Sequence, residues 1–295
     1  MGYSLIQKFP DFESIFSETV REAEANLGFS LSHILKDGPA EKLKETEITQ
    51  PALLTVSTAV GRWLKNKGIQ AEIALGHSVG EYSALVYAEA LSFAEAVKLV
   101  QIRGRLMQNA VPLGEAGMAA LIGGNLESAQ NLCKALKEET KLVLEVSLLN
   151  APGQIVISGH QKALELAVTR GREFGIRKVV LLEVSGPFHC SLLSKAGEEL
   201  GMALRKAAIS RPTIPVISNL TARPEKTSNE IIENLIGQVS KPVLWEDSIK
   251  FAAQNGFNHF IEVGSGAVLT GLVKKILPEA KSESIENIQD LSALS

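Results

Sequence analysis

Cysteine is scarce in this chain of 295 residues: it has two, Cys133 and Cys190. Two such positions offer no disulfide framework and no close metal-ligand spacing, which fits a reducing cytoplasm. Long apolar runs are absent as well. None reaches the ~18 consecutive residues of a membrane span. Basic blocks are missing: 30 Lys and Arg stand against 33 Asp and Glu, for a net charge of −3. That balance argues against nucleic acid as the main partner. No repeat, low-complexity linker or charge run interrupts the pattern. The opening MGYSLIQKFPDFE does not read as a signal peptide. Ile6 stands where a myristoylation site needs Ser or Thr. The expectation is a cytoplasmic protein with no membrane and no nucleic-acid partner.

What is present is a core. Hydrophobic residues make up 45% of the chain, enough for one large α/β domain or for one carrying an insertion. Stretches 10–28 and 50–68 each read as a helix that opens on Pro and closes on Gly. AEIALG is a short apolar strand, and VGEYSALVYAEA and SFAEAVKLVQIRGRLMQNAV are helical. From about residue 116 the rhythm becomes strand, helix, two strands joined by APG, helix, strand. That βαββαβ order predicts a ferredoxin-like insertion. Residues 115–186 are therefore expected to form a small subdomain, and 1–114 with 187–295 a large parallel-sheet domain of α/β-hydrolase-like type. In the returning chain, 191–209 reads as helix, PVISN as strand, FNHFIEVGSG as a strand with a glycine turn, and AVLTGLVKKI as a closing helix.

The chemistry concentrates in ALGHSVGEYS, residues 74–83, where Gly76, Ser78 and Gly80 spell G-x-S-x-G. A serine hydroxyl is a weak nucleophile and needs a neighbouring base. A strand before Ser78 and a helix after it are what a nucleophile elbow requires. The helix start at Val79 would aim a backbone N–H and a positive dipole end at an oxyanion. Five histidines compete for the base. His77 adjoins the serine, so its ring should point away and line a pocket. His33 is expected at the surface, and His160 and His259 border strands. His189 follows a strand and precedes a helix, in a loop where such sheets place their sites. Capping that helix is its plainer role. Ala96, Val100, Arg103 and Met107 share one helical face, while Arg105 lies about 200° away on the solvated side. An inward-facing arginine must meet an anion. A structural carboxylate and a substrate carboxylate both remain open on spacing alone.

Taken together, TQPALL, GHSVGEYSAL, IRGRLMQ, GMAALIG, NAPGQIVISG, SGPFHCSLL, PVLW and EVGSGAVLTGLVKKI resemble the malonyl-CoA:acyl-carrier-protein transacylases. The wider likeness is to the acyltransferase domains of fatty-acid and polyketide synthases. The motifs run in family order along the whole chain. The resemblance implies malonyl transfer from malonyl-CoA to a carrier-protein thiol, by a monomeric enzyme. The coenzyme A thioester is substrate, and neither metal nor other cofactor is implied. Ser78 becomes the nucleophile and His189 the base, oriented by backbone carbonyls, one of them from Lys241. Arg103 becomes the ligand of the malonyl carboxylate and Gln50 its support. Phe188, and Val79 in place of Gln, match the malonyl-selective form. An acyl hydrolase on the same scaffold and an inactive carrier-binding chain are the alternatives. One departure accompanies the likeness. The family's first strand and its glutamine loop have no counterpart here, so Val79 N–H is the one oxyanion donor in view.

Overall fold

A computed structural model describes residues 1–39 and 41–291, so Ala40 and the last four residues of the expected large unit lie outside the described residues. The chain opens with helices α1 (Tyr3–Lys8), α2 (Phe12–Leu27), α3 (Leu31–Asp37) and α4 (Thr46–Asn66), followed by β1 (Ala74–Leu75), α5 (Gly80–Tyr87) and α6 (Phe93–Gln108). The middle holds β2 (Ala116–Ile122), α7 (Leu126–Thr140), β3 (Leu144–Ala151), β4 (Gln154–His160), α8 (Gln161–Arg170) and β5 (Lys178–Leu181). The return comprises α9 (Ser194–Leu204), β6 (Val216–Ile217), α10 (Ser228–Gln238), α11 (Trp245–Gln254), β7 (His259–Glu262), α12 (Val268–Ile276) and β8 (Lys281–Ser284).

Capping explains several boundaries. Gly28 ends α2 with φ 77°, a left-handed turn that glycine adopts without strain. Ser92 accepts the Glu95 N–H at 3.2 Å to start α6, and Asn125 does the same for Ser128 at 2.9 Å to start α7. Helix α4 begins at Thr46, a turn earlier than Pro51, because the one bond a proline forfeits is outweighed by the apolar face it packs against α2 and α6.

The middle segment is an antiparallel sheet in the order β3-β4-β2-β5, the ferredoxin-like arrangement. Helices α7 and α8 cover it around Leu132, Leu136, Ile157 and Leu164. Its outer strand is tied to the rest of the chain: Val243 N–H bonds to the Ser147 carbonyl at 2.9 Å, and Leu149 N–H to the Val243 carbonyl at 3.0 Å. The main core joins α2, α4, α5, α6, α9 and α10 through residues such as Phe12, Trp63, Tyr82 and Leu200.

The parallel strands occur as two pairs, β1 with β6 and β7 with β8. Both pairs contribute to the wall of one cavity of about 1060 Å³, through Ala74 and Leu75 from the first and Phe260 and Ile261 from the second. Among the described residues each of these strands pairs with one other strand, and AEIALG and PVISN contribute two ladder residues each. No described helix is long and apolar enough to cross a membrane.

Candidate active site

The register of β1 against β6 pairs Leu75 with Ile217. The two strands end side by side, and the residues just past them meet. Past β1 the chain reverses through Ser78, at φ 52°, into α5. Gly76 permits the reversal: a Cβ there would land on the Gly80 carbonyl. Past β6, Asn219 braces the turn from both ends. Its Oδ1 accepts the Ser78 N–H at 2.6 Å, and its Nδ2 donates to the Gly76 carbonyl at 2.6 Å.

His189 arrives from the loop after β5 with φ 61°, a second non-glycine residue in the left-handed region. Strain of this kind persists where surrounding bonds over-determine it. Ser158 on β4 supplies one, its hydroxyl bonding the Phe188 carbonyl at 2.7 Å. His189 Nε2 lies 2.8 Å from Ser78 Oγ. Its Nδ1 donates to the Gln238 carbonyl at 2.7 Å, which leaves Nε2 as the proton acceptor. The expected Lys241 carbonyl is corrected to Gln238. Gln238 is the last residue of α10, and the carbonyls of a last helical turn have no partner within the helix. Burial, and then the Arg103 charge, lower the His189 pKa to about 3, so the free ring is neutral.

Arg103 is 1% exposed on the inner face of α6, beside the equally buried Ala96, Val100 and Met107; Arg105 is exposed. Its Nη1 donates to Gln50 Oε1 at 2.7 Å. Its Nη2 donates to Gln238 Oε1 at 2.8 Å and to Ser78 Oγ at 3.0 Å. Its Nε is buried without a partner among the described residues. All three acceptors are neutral oxygens. Burial lowers its pKa, but a guanidinium stays protonated in proteins.

The remaining expected residues take these places. Val79, before the first residue of α5, shows no acceptor for its N–H among the described residues. His77 turns away from Ser78 as expected, with Nε2 2.8 Å from Asn150 Oδ1 on β3 and its ring 5.5 Å from Trp245; burial lowers its pKa. Phe188 is half-buried against the main core. Cys190, beside the histidine, is no rival nucleophile, since burial pushes its thiol up to about 12. His33 pairs with Asp37 on the surface of α3, His160 accepts the Val143 N–H, and His259 pairs with Glu283.

Sequence reading missed Gln238, Asn219 and Glu81. Thr227 and Glu230, spaced as a capping box, announce α10 and so its terminal Gln238; Thr227 Oγ1 does accept the Glu230 N–H at 3.2 Å. Asn219 is the second of two buried polar residues, after Ser218, directly beyond β6. Glu81 sits three residues after Ser78 and is fully buried.

A serine, a neutral histidine and a buried cation thus meet at one hydroxyl, on a fold that couples a parallel-sheet part to a ferredoxin-like insertion. The chain matches the acyl transferase domain family over residues 1–291 and belongs to it. It is an acyltransferase. It is 43% identical over 282 residues to the malonyl CoA-acyl carrier protein transacylase of Salmonella typhimurium, covering 95% of this chain and 90% of that protein. It is 42% identical over 287 residues to the Bacillus subtilis protein of the same name, covering 97% and 89%. Among solved structures, an acyl carrier protein S-malonyltransferase from Vibrio cholerae superposes with a TM-score of 0.94 at 36% identity, over 100% of this chain and 95% of that one. A malonyl-transacylase in complex with a type II PKS acyl-carrier protein superposes with a TM-score of 0.92 at 35% identity, over 100% and 93%.

Proposed function

We propose that this enzyme moves a malonyl group from malonyl-CoA to the phosphopantetheine thiol of an acyl carrier protein, through an ester on Ser78. One observation carries the reading: Arg103 is a buried cation whose hydrogen-bond acceptors among the described residues are all neutral oxygens, the Ser78 hydroxyl among them at 3.0 Å. Such a group is incompletely compensated until an anion reaches it. A carboxylate two bonds from a thioester carbonyl would do so as the carbonyl meets Ser78. A neutral acyl group would not, which favours transfer of a diacid over hydrolysis of simple acyl thioesters.

The steps follow from the bonds present. His189 Nε2 takes the proton of Ser78 Oγ while Oγ attacks the thioester carbonyl. Val79 N–H and the α5 N-terminus stabilise the oxyanion. The carbon–sulfur bond breaks, and coenzyme A leaves with the proton from His189. The carrier thiol then gives its proton to Nε2, its sulfur attacks the ester, and Ser78 recovers the proton as it leaves. The malonyl carboxylate also draws on Arg103, the charge that depresses His189 and the guanidinium that donates to Oγ. Binding the diacid therefore strengthens the base. Gln50 and Gln238 hold the guanidinium, and Phe188 and His77 line the acyl side. The chemistry uses no metal or redox group. The two-part division at 115–186, a monomeric state and a cytoplasmic setting belong to the same proposal.

Intact-mass measurement after incubation with malonyl-CoA tests it. The parent should gain a malonyl adduct and pass it to a holo carrier protein faster than to water. Ser78→Ala should gain none. His189→Ala should acylate slower by about 10²–10⁴-fold with its fold intact. A malonyl adduct on Ser78→Ala removes Ser78 from the reaction.

A further inference from the structure

Glu81 has no part in the steps above, yet it is fully buried directly behind them. Its Oε2 accepts two bonds, from Gln238 Nε2 at 2.6 Å and from the Asn219 backbone N–H at 3.0 Å. Its Oε1 is buried and meets no partner at full hydrogen-bond geometry among the described residues, while the Ser218 hydroxyl also acts on the carboxyl group as a donor. Each bond leads back to the site. Asn219 spans the turn at Ser78. Gln238 accepts from His189 on its carbonyl and from Arg103 on its side-chain oxygen, and its side-chain nitrogen donates to the Ser78 carbonyl at 3.1 Å.

The Gln238 amide has two orientations about its last torsion, and its neighbours permit one. With Nε2 toward Glu81 and Ser78 O, and Oε1 toward Arg103, every donor meets an acceptor. Reversed, an oxygen would face two oxygens and an NH₂ would face the guanidinium, leaving buried groups unpaired on both sides. Position 238 also sets what Arg103 has left to offer. A carboxylate there would close an internal ion pair and occupy the cation. A glutamine satisfies one N–H and brings no carboxylate into contact with the guanidinium, and the charge of Glu81 acts on Arg103 from behind that amide.

We propose that Glu81 is a positioning residue for diacid recognition: by accepting the Gln238 N–H it turns the amide oxygen onto Arg103, so that the guanidinium is oriented by neutral oxygens and kept for the substrate carboxylate. The inference rests on the malonyl-transfer reading above. Burial raises the Glu81 carboxyl, and the device works in either protonation state, since a proton has Oε1 to occupy while Oε2 goes on accepting. Reach to Gln238 is therefore what matters at position 81, and charge is not.

Two mild variants separate these properties. Glu81→Gln keeps the reach and an acceptor oxygen but removes the charge. Glu81→Asp keeps the charge but withdraws it by one methylene. The readout is the ratio of malonyl to acetyl transfer, as kcat/KM on the holo carrier, measured below each variant's melting temperature. Glu81→Gln should hold the parent ratio within about threefold. Glu81→Asp should lower it about 10-fold or more, chiefly through KM for malonyl-CoA. Gln238→Met should lower it similarly, and adding Glu81→Asp to Gln238→Met should lower it no further, because both act through one amide. An unchanged ratio in Glu81→Asp, a loss in Glu81→Gln as large as in Glu81→Asp, or additive losses in the double variant would each overturn the proposal. Arg103→Ala is measured alongside. If it changes the ratio and Glu81→Asp does not, Glu81 alone has been misread; if Arg103→Ala leaves the ratio untouched, the malonyl reading itself fails.

Discussion

Arg103 and Arg105 are two residues apart on α6 and differ in everything that matters. Arg103 is desolvated and held by Gln50, Gln238 and Ser78, whereas Arg105 is exposed. A charge-assisted pair with a substrate carboxylate contributes about 1.5–3 kcal/mol. Arg103→Ala should thus depress malonyl transfer about 10- to 100-fold and leave acetyl transfer unchanged or improved. Arg103→Lys should recover part of the loss, since an ammonium cannot reproduce the planar fork. Arg105→Ala should behave as the parent in the same assay. If Arg105→Ala lost malonyl selectivity while Arg103→Ala kept it, the helical phase would be wrong. Titration supplies a second test. Glu225 is 4% exposed and bonded by Asn234 at 3.0 Å, and burial followed by the charge of Glu81 raises its pKa above the ordinary 4.5. The folded chain keeps a proton there that the unfolded chain sheds above pH 4.5, so stability falls as pH rises. His189 acts in the opposite sense: its folded pKa of about 3 lies below 6.5, so stability falls as pH drops below 6.5 and the unfolded chain takes up the proton. Glu225→Gln, neutral throughout and able to accept the same bond, should flatten the alkaline side of a plot of Tm against pH. A slope equal to the parent's would place the alkaline loss elsewhere.

The site depends on how closely two helices approach. Gly104 follows Arg103 and lies against the first turn of α4, where an added Cβ would meet the Thr46 carbonyl oxygen at 2.5 Å and Glu47 Cα at 2.7 Å. Both are backbone atoms, so the contact is relieved only by moving a helix. Gln50 stands on that same turn of α4. Gly104→Ala should therefore separate Gln50 from Arg103 as it pushes the helices apart. The expected result is a loss of about 1–3 kcal/mol in chemical denaturation, together with a raised KM for malonyl-CoA and little change in the circular dichroism spectrum. Full stability and parental KM in Gly104→Ala would show that the interface gives way without disturbing the site. The insertion constrains the other side. Strands β3 and β4 hold the His189 loop through Ser158 and through Glu145, which accepts the Ser191 N–H at 2.8 Å. The ferredoxin-like unit is thus a support for the His189 loop.

At the scale of the whole molecule, the notable feature is the split parallel sheet. Parallel strands normally lie buried between layers, yet among the described residues β1 pairs with β6 alone and β7 with β8 alone, and both line a common cavity of about 1060 Å³. Two free edges on one cavity are a place where an extended apolar segment can pair. The N-terminal helix lies close by. Ser4 bonds Glu286, Glu286 accepts the Gly266 N–H at 2.6 Å, and the neighbouring Gly264 and Ser265 line the cavity. Joining an extended apolar segment ahead of Met1 should let it fill the slot and raise Tm by roughly 2–4 °C for each kcal/mol gained. An unchanged melting temperature would show that the edges accept no strand.

What the amino-acid order determined by itself is whatever depends on neighbours within a few residues. It set the periodicity of the helices, the βαββαβ rhythm of the insertion, the glycine spacing that lets Ser78 turn, and the phase that places Arg103 inward and Arg105 outward. Each of these is a local steric or hydrophobic rule, so each can be read along the chain. The tertiary structure decided which distant groups meet. Asn219 reaches Ser78 because β6 lies parallel to β1 in a register the sequence does not spell out. Gln238 rather than Lys241 orients His189 because the free carbonyls belong to the end of α10, and where that end lies in space is a matter of packing. Whether Arg103 faced a carboxylate or only neutral oxygens depended on chain segments 53 and 135 residues away, and contacts at such separations are fixed by the fold as a whole.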